Sequence, residues 1–271
     1  MGAVVCHGSP GAPDEVGQFH GADLARRLGI RLIAIARPGM WYSEFQPGRT
    51  VAGWVEDPAV VADACGVEQF GIVGYSAGAA YAAAVAAGLP DRVTGMGLVA
   101  PVCHQNEGLA AELDRFSRAM ERQPLFRPRL TRAVMFGVWH SHMWRPPLRF
   151  VLRYSPLLRR PDHLALRVRE VRESIVRKSE QAFVAGVSGT QLDMALMMQP
   201  WTVDLERISA PTSIWQGTLD TLGATVAMAE YVHDRIDSSD LVLVEDGHLS
   251  TMTNHARDIF QFVRGARRFA G

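Results

Sequence analysis

The chain has 271 residues, 28 basic and 28 acidic side chains, 48% apolar residues and no net formal charge. The length fits one α/β domain carrying an insertion, and the composition excludes a disordered, collagen-like or coiled-coil chain. The charge balance excludes a nucleic-acid binder working through bulk positive charge, and no stretch reaches the roughly 18 apolar residues of a membrane span.

The predicted elements alternate at first. Residues 3–6 are a short apolar run ending in the turn His7-Gly8-Ser9-Pro10-Gly11. A helical stretch over 19–28 stops at Gly29, and residues 31–35 read as a second strand closed by Arg37-Pro38-Gly39. A helix is expected over 51–65, stopping at Gly66, with Pro58 marking a break or restart. Residues 70–73 form a third strand, 77–87 a helix with Gly88 at its C-cap and Pro90 beyond, and 93–99 a fourth strand. This order predicts a mostly parallel sheet with helices on both faces.

The alternation stops between residues 104 and 200. Helical stretches at 115–122, 130–139, 148–154, 163–185 and 192–198 are candidates, cut into short pieces by prolines 124, 128, 146, 147, 156 and 161. It resumes with a strand at 212–215, a helix at 225–235, a strand at 241–244 and an amphipathic helix at 256–269. The expected division is a core of residues 1–103 and 201–271 with a helical cap inserted at 104–200. From His104 to Lys178 there are fifteen arginines and one lysine against seven acids. That excess reads either as solvated helical faces or as a cap favouring anionic or polar substrates. Lys178 is the only lysine in the chain.

The strongest local signal is Gly74-Tyr75-Ser76-Ala77-Gly78, a G-x-S-x-G between a predicted strand and a predicted helix. A serine on such a strained turn projects its hydroxyl from the sheet edge, and the flanking glycines let neighbouring backbone approach. A nucleophilic serine needs a base, and the base an orienting acid. His248 follows the strand at 241–244 through Glu245-Asp246-Gly247, a loop from which it can reach over the carboxyl ends of the strands. His233 and His255 read as surface residues. Asp220, past a glycine turn after the strand at 212–215, is the candidate acid; Asp204 precedes that strand and should lie at the wrong end. An oxyanion needs two N–H donors. Ala77, after the nucleophile, supplies one; in the loop after the first strand Pro10 has no N–H, so Ser9 supplies the other. His7 is expected to hold that loop by hydrogen bonding.

The order serine, aspartate, histidine and the segments HGSPG, GYSAG, LPDRV, WQGTLD and EDGHLS resemble the α/β-hydrolase superfamily over nearly the whole chain. The resemblance implies a triad of Ser76, Asp220 and His248, oxyanion donors Ser9 and Ala77, and a helical cap over the site. The subgroup looks like small bacterial serine hydrolases with such a cap, which implies cleavage of a small ester or thioester without a cofactor. Other readings on the same scaffold are a C–C bond hydrolase or amidase, a non-hydrolytic cyclase, lyase or acyl transferase of secondary metabolism, and a slow ligand receptor. Two departures stand out. After the second strand the family's small turn residues are replaced by Trp41 and Tyr42, which either wall the pocket or pack. The two antiparallel strands with which the family usually begins are missing, so residues 31–35 are expected at an exposed edge that a loop, a homodimer partner or further N-terminal sequence covers.

Trp41, Tyr75, Trp139 and Met143 are candidate pocket residues. His140 and His142 lack the companions of a zinc site, so no metal is expected. Cys6, Cys65 and Cys103 are too few and scattered for a disulfide framework, and the N-terminus lacks a signal-peptide pattern. A reduced, cytoplasmic setting is the simplest expectation. The expected partner is a small-molecule substrate, with neither nucleic acid nor membrane.

Overall fold

The structure, a computed structural model, describes residues 1–103, 155 and 158–265. The expected helices at 115–122, 130–139 and 148–154, and with them Trp139 and Met143, lie outside the described residues.

Six strands form one parallel sheet: β1 (Gly2–Cys6), β2 (Arg31–Ala34), β3 (Phe70–Tyr75), β4 (Val93–Val99), β5 (Thr212–Gly217) and β6 (Ser239–Val244). Their order is β2-β1-β3-β4-β5-β6. Every residue of β1 and β3 is buried. Strands covered on both faces need no polar side, which is why these read as unbroken apolar runs. From β1 the chain goes outward to β2 and then returns to the other side as β3. That reversal opens a crevice at the carboxyl ends of β1 and β3, where an open α/β sheet binds its ligands.

Helices cover both faces. Val4, Ile72, Leu98 and Ile214 pack against α2 (Glu56–Ala64), α3 (Gly78–Gly88) and α7 (Val226–His233). Ala3, Val5, Val73 and Val99, pointing the other way by the two-residue period of a strand, pack against α1 (Gly21–Leu28) and α8 (His248–Gly265). Helix α3 is apolar all round and buried on all sides, as such a helix must be. Gly71 has no room for a side chain because Val263 of α8 lies against it.

Between β4 and β5, the described residues contain α4 (Arg160–Ala165), α5 (Arg169–Gln181) and α6 (Ser188–Met197). The single helix expected over 163–185 is thus two. No glycine or proline marks the break. The two pieces dock on different partners, α4 on α8 and α5 on the short 3-10 helix Pro13–Phe19, and this sets the kink.

The final helix begins at His248, well before the expected 256. Its first turn, His-Leu-Ser-Thr, has weak intrinsic propensity, and the acceptor for its free N–H groups comes from another helix. Strand β2 stands at the sheet edge, as expected, with β1 as its neighbour.

Candidate active site

Ser76 sits between β3 and α3 with φ 55°, a left-handed conformation uncommon for a residue with a side chain. The turn is held by Ser76 N–H on Val99 O at 2.9 Å and Ala79 N–H on Ser76 O at 3.0 Å. The flanking glycines are required by space. A Cβ at Gly78 would overlap the carbonyls of Cys6 and His7, and one at Gly74 would lie 2.7 Å from Ala79 and Ala82. The turn is therefore wedged against the end of β1. Gly78→Ala is expected to push the two apart at a cost of about 1–3 kcal/mol, read as a lower midpoint in urea unfolding.

Asp220 and His248 meet across the ends of β5 and β6. His248 Nδ1 donates to Asp220 Oδ2 at 2.6 Å, and both side chains are buried. The other oxygen, Oδ1, accepts Leu222 N–H at 2.9 Å. Asp220 is thus a turn former and the partner of the histidine at once, one oxygen for each. Asp204 lies ahead of β5 and is exposed, so it is not part of this cluster.

The imidazole ring centroid lies 5.2 Å from that of Tyr75, whose hydroxyl donates to His248 O at 3.2 Å. Burial alone would lower the imidazole pKa. The Asp220 carboxylate, by charge and hydrogen bond, outweighs it with help from Asp162 and leaves it raised, while Lys178 acts against them. Among the described residues Ser76 Oγ makes no hydrogen bond to His248. Such contacts often close only on a bound substrate.

The loop after β1 is held from three directions. His7 donates Nδ1–H to Gly8 O at 2.8 Å, and its Nε2 faces the Arg37 N–H at 3.4 Å. Burial, then the Arg37 charge, holds this imidazole well below its ordinary pKa, so it stays neutral. Arg37 donates to His7 O at 2.5 Å and Gly8 O at 2.9 Å. Its remaining donors reach both oxygens of Asp193 on α6, at 2.9 and 2.6 Å. Asp193 also accepts from Arg49 at 3.0 Å and Tyr81 Oη at 2.7 Å. On the other side Glu15 accepts Gly8 N–H at 2.6 Å and pairs with Lys178 of α5. With Gly8 N–H engaged, Ser9 offers the next amide. Among the described residues neither the Ser9 nor the Ala77 N–H has a protein acceptor, and the Ser9 hydroxyl is buried without a partner.

Glu15, Asp162 and Asp193 escaped the sequence reading, and Arg37 and Lys178 were named there without a role at the site. Three of the five had a faint signal. Lys178 is the sole lysine, Asp193 the sole charge in α6, and Arg37 closes a strand. Of the pocket candidates, Tyr75 is buried against His248. Trp41 is half-buried, has φ 51°, gives its backbone N–H to Gln181 O at 2.8 Å, and lies tilted against the exposed Tyr42 with ring centroids 5.2 Å apart. His255 is half-buried, bonded to Asp246 at 2.9 Å and stacked on Trp215, rather than a free surface residue.

A parallel sheet with a switch point beside a strand–serine–helix turn, and a histidine–aspartate pair beyond the later strands, is the arrangement of a class of α/β proteins that carry their sites on the turns after the strands. The chain belongs to the alpha/beta hydrolase fold family, matched over residues 4–254. Among solved structures it resembles an alpha/beta hydrolase fold protein from Nakamurella multipartita, at 25% identity and TM-score 0.62, covering 98% of this chain and 90% of that one. It also resembles a bromoperoxidase from Bacillus anthracis, at 17% and 0.70, covering 97% and 91%. A thermophilic esterase from Thermogutta terrifontis is similar at 19% and 0.66, covering 99% and 90%. These last two likenesses are of fold. No curated protein matches the sequence significantly. Among the described residues no helix is long and apolar enough to cross a membrane.

Proposed function

We propose that this protein is a serine hydrolase that cleaves a small ester or thioester through an acyl-enzyme on Ser76. The observation that carries this reading is a serine in a left-handed turn at the sheet edge that also presents a buried His248–Asp220 pair bonded at 2.6 Å. Ser76 Oγ attacks the acyl carbon while His248 Nε2 takes its proton. Asp220 keeps the other imidazole proton on Nδ1, so that Nε2 is free to accept. The oxyanion is held by the N–H groups of Ser9 and Ala77 at the start of α3. Collapse releases the alcohol or thiol, protonated by His248. Water then attacks the acyl carbon, again giving its proton to His248, and the acid leaves as Ser76 recovers its hydrogen.

The test is intact mass after exposure to a fluorophosphonate, beside Ser76→Ala. One phosphonyl adduct is expected on the parent and none on the variant, followed by turnover of an ester or thioester panel with product masses raised by one water. A folded parent that takes no adduct, or a Ser76→Ala variant that still takes one, overturns the reading.

A further inference from the structure

Helix α8 begins on the histidine itself, and its first turn has no cap of its own. Every helix start leaves N–H groups without partners, normally met by a side chain just ahead of the helix. Here the preceding residue is Gly247, which has none to offer. Asp246, one place earlier, is engaged by His255 at 2.9 Å and Asn254 at 3.0 Å.

The missing acceptor comes from α4. Asp162 Oδ1 accepts Leu249 N–H at 3.0 Å, Ser250 N–H at 2.9 Å and Ser250 Oγ–H at 2.9 Å. Ser250 Oγ in turn accepts Gly247 N–H at 2.8 Å. This is a capping box divided between two segments. The third helical residue reaches back to the cap N–H in the usual way, while the acceptor that a cap aspartate would carry is delivered by another helix. Gly247 fits the arrangement for a second reason: a Cβ there would lie within the Asp162 carboxylate. Asp162 is 1% exposed, and among the described residues no arginine or lysine pairs with it. Its Oδ1 meets the N–H groups of the helix start at Leu249 and Ser250, next in the chain to His248, and its charge acts on the His248 imidazole.

We propose that Asp162 is a positioning residue for His248, fixing the first turn of α8 and setting a buried negative charge beside the imidazole that is charged when Ser76 gives up its proton. The proposal rests on the reading of His248 as the base. Among the described residues, Asp220 after β5 and Tyr75 before the nucleophile lie against that imidazole, and the charges of Asp162 on α4 and Lys178 on α5 act on it. Burial, with Glu15, Asp220 and Asp162, holds the Tyr75 phenol well above its ordinary pKa, so it stays neutral. Burial also pushes the Asp162 carboxyl up, against the Ser250 bonds and the His248 charge that draw it down. Asp162 raises the His248 pKa and Lys178 lowers it. Losing the Asp162 charge therefore lowers the pH at which His248 becomes a free base. A scaffold defect alone slows the reaction at every pH and leaves that midpoint in place.

The experiment follows the rate of fluorophosphonate labelling of the full chain between pH 5 and pH 9, with His248→Gln as reference. Asp162→Asn keeps an oxygen acceptor and removes the charge; its rate–pH midpoint is expected to move to lower pH. Asp162→Ala removes both, and the rate is expected to fall about ten- to a hundredfold as the ring loses its seat. Asp162→Ala with Gly247→Asp returns the carboxylate to the helix's own cap, now that the space is open, and is expected to recover most of the rate. Ser250→Ala breaks the bridge while leaving the charge, and should slow labelling without moving the midpoint. An unchanged midpoint in Asp162→Asn overturns the electrostatic part, and parental rates in both Asp162→Ala and Ser250→Ala overturn the positioning part. If His248→Gln labels at the parental rate, it is instead the reading of His248 as base that fails.

Discussion

Asp220→Asn is expected to slow acylation of Ser76 by about 10³–10⁴-fold while leaving the fold intact. The reason lies in how the two oxygens are used. Oδ1 accepts Leu222 N–H and Oδ2 accepts from His248. An amide in this place keeps its oxygen on Leu222, because only the oxygen can accept there. Its NH2 then faces Nδ1 of His248, and two donors cannot share that line. The imidazole proton is driven to Nε2, the atom that accepts from Ser76 in the proposed mechanism. The loss of the Asp220 charge also removes the main influence raising the His248 pKa, so the residual activity should titrate at lower pH. Labelling kinetics across pH measure both effects, and circular dichroism checks the fold. Asp204→Asn, at an exposed position ahead of β5, should label within twofold of the parent. The opposite ranking of the two aspartates would remove Asp220 from the mechanism.

Asp193→Ala is expected to destabilise the protein by about 3–5 kcal/mol, because it leaves the buried Arg37 and Arg49 without their anion. For a chain of this size that is a fall on the order of 10 °C in Tm. Function should suffer beyond stability, since Arg37 also grips the carbonyls of His7 and Gly8. Burial alone would raise the Asp193 carboxyl; the Arg37 charge and hydrogen bonds, then the Arg49 charge, outweigh it and hold it far below the usual carboxylate range. The folded state therefore binds this proton more weakly than the unfolded chain. The stability it contributes is fully present above the unfolded value near pH 4 and is lost as pH falls toward the folded one. Thermal scans from pH 7 down to pH 3 should show the parent losing stability at the acid end, and Asp193→Asn losing less over the same interval. Equal slopes would mean that Asp193 is not held as an anion by its arginines.

What the sequence by itself determined is what depends on near neighbours. The elbow was legible because a strand, a serine flanked by glycines and a helix follow one another within about twenty residues. Asp220 and His248 were legible because each follows a strand closely. The central strands were legible because, buried on both faces, they carry unbroken apolar runs. The tertiary structure decided the rest. Asp193 meets Arg37 across 156 positions, Lys178 meets Glu15 across 163, and Asp162 meets Ser250 across 88. A charged side chain is indistinguishable in sequence from a solvated one, and its energy changes by several kcal/mol with the partner it finds on burial. The start of α8 shows the same thing at the level of backbone: Gly247 is a poor cap until α4 brings a carboxylate to the place its side chain would have filled.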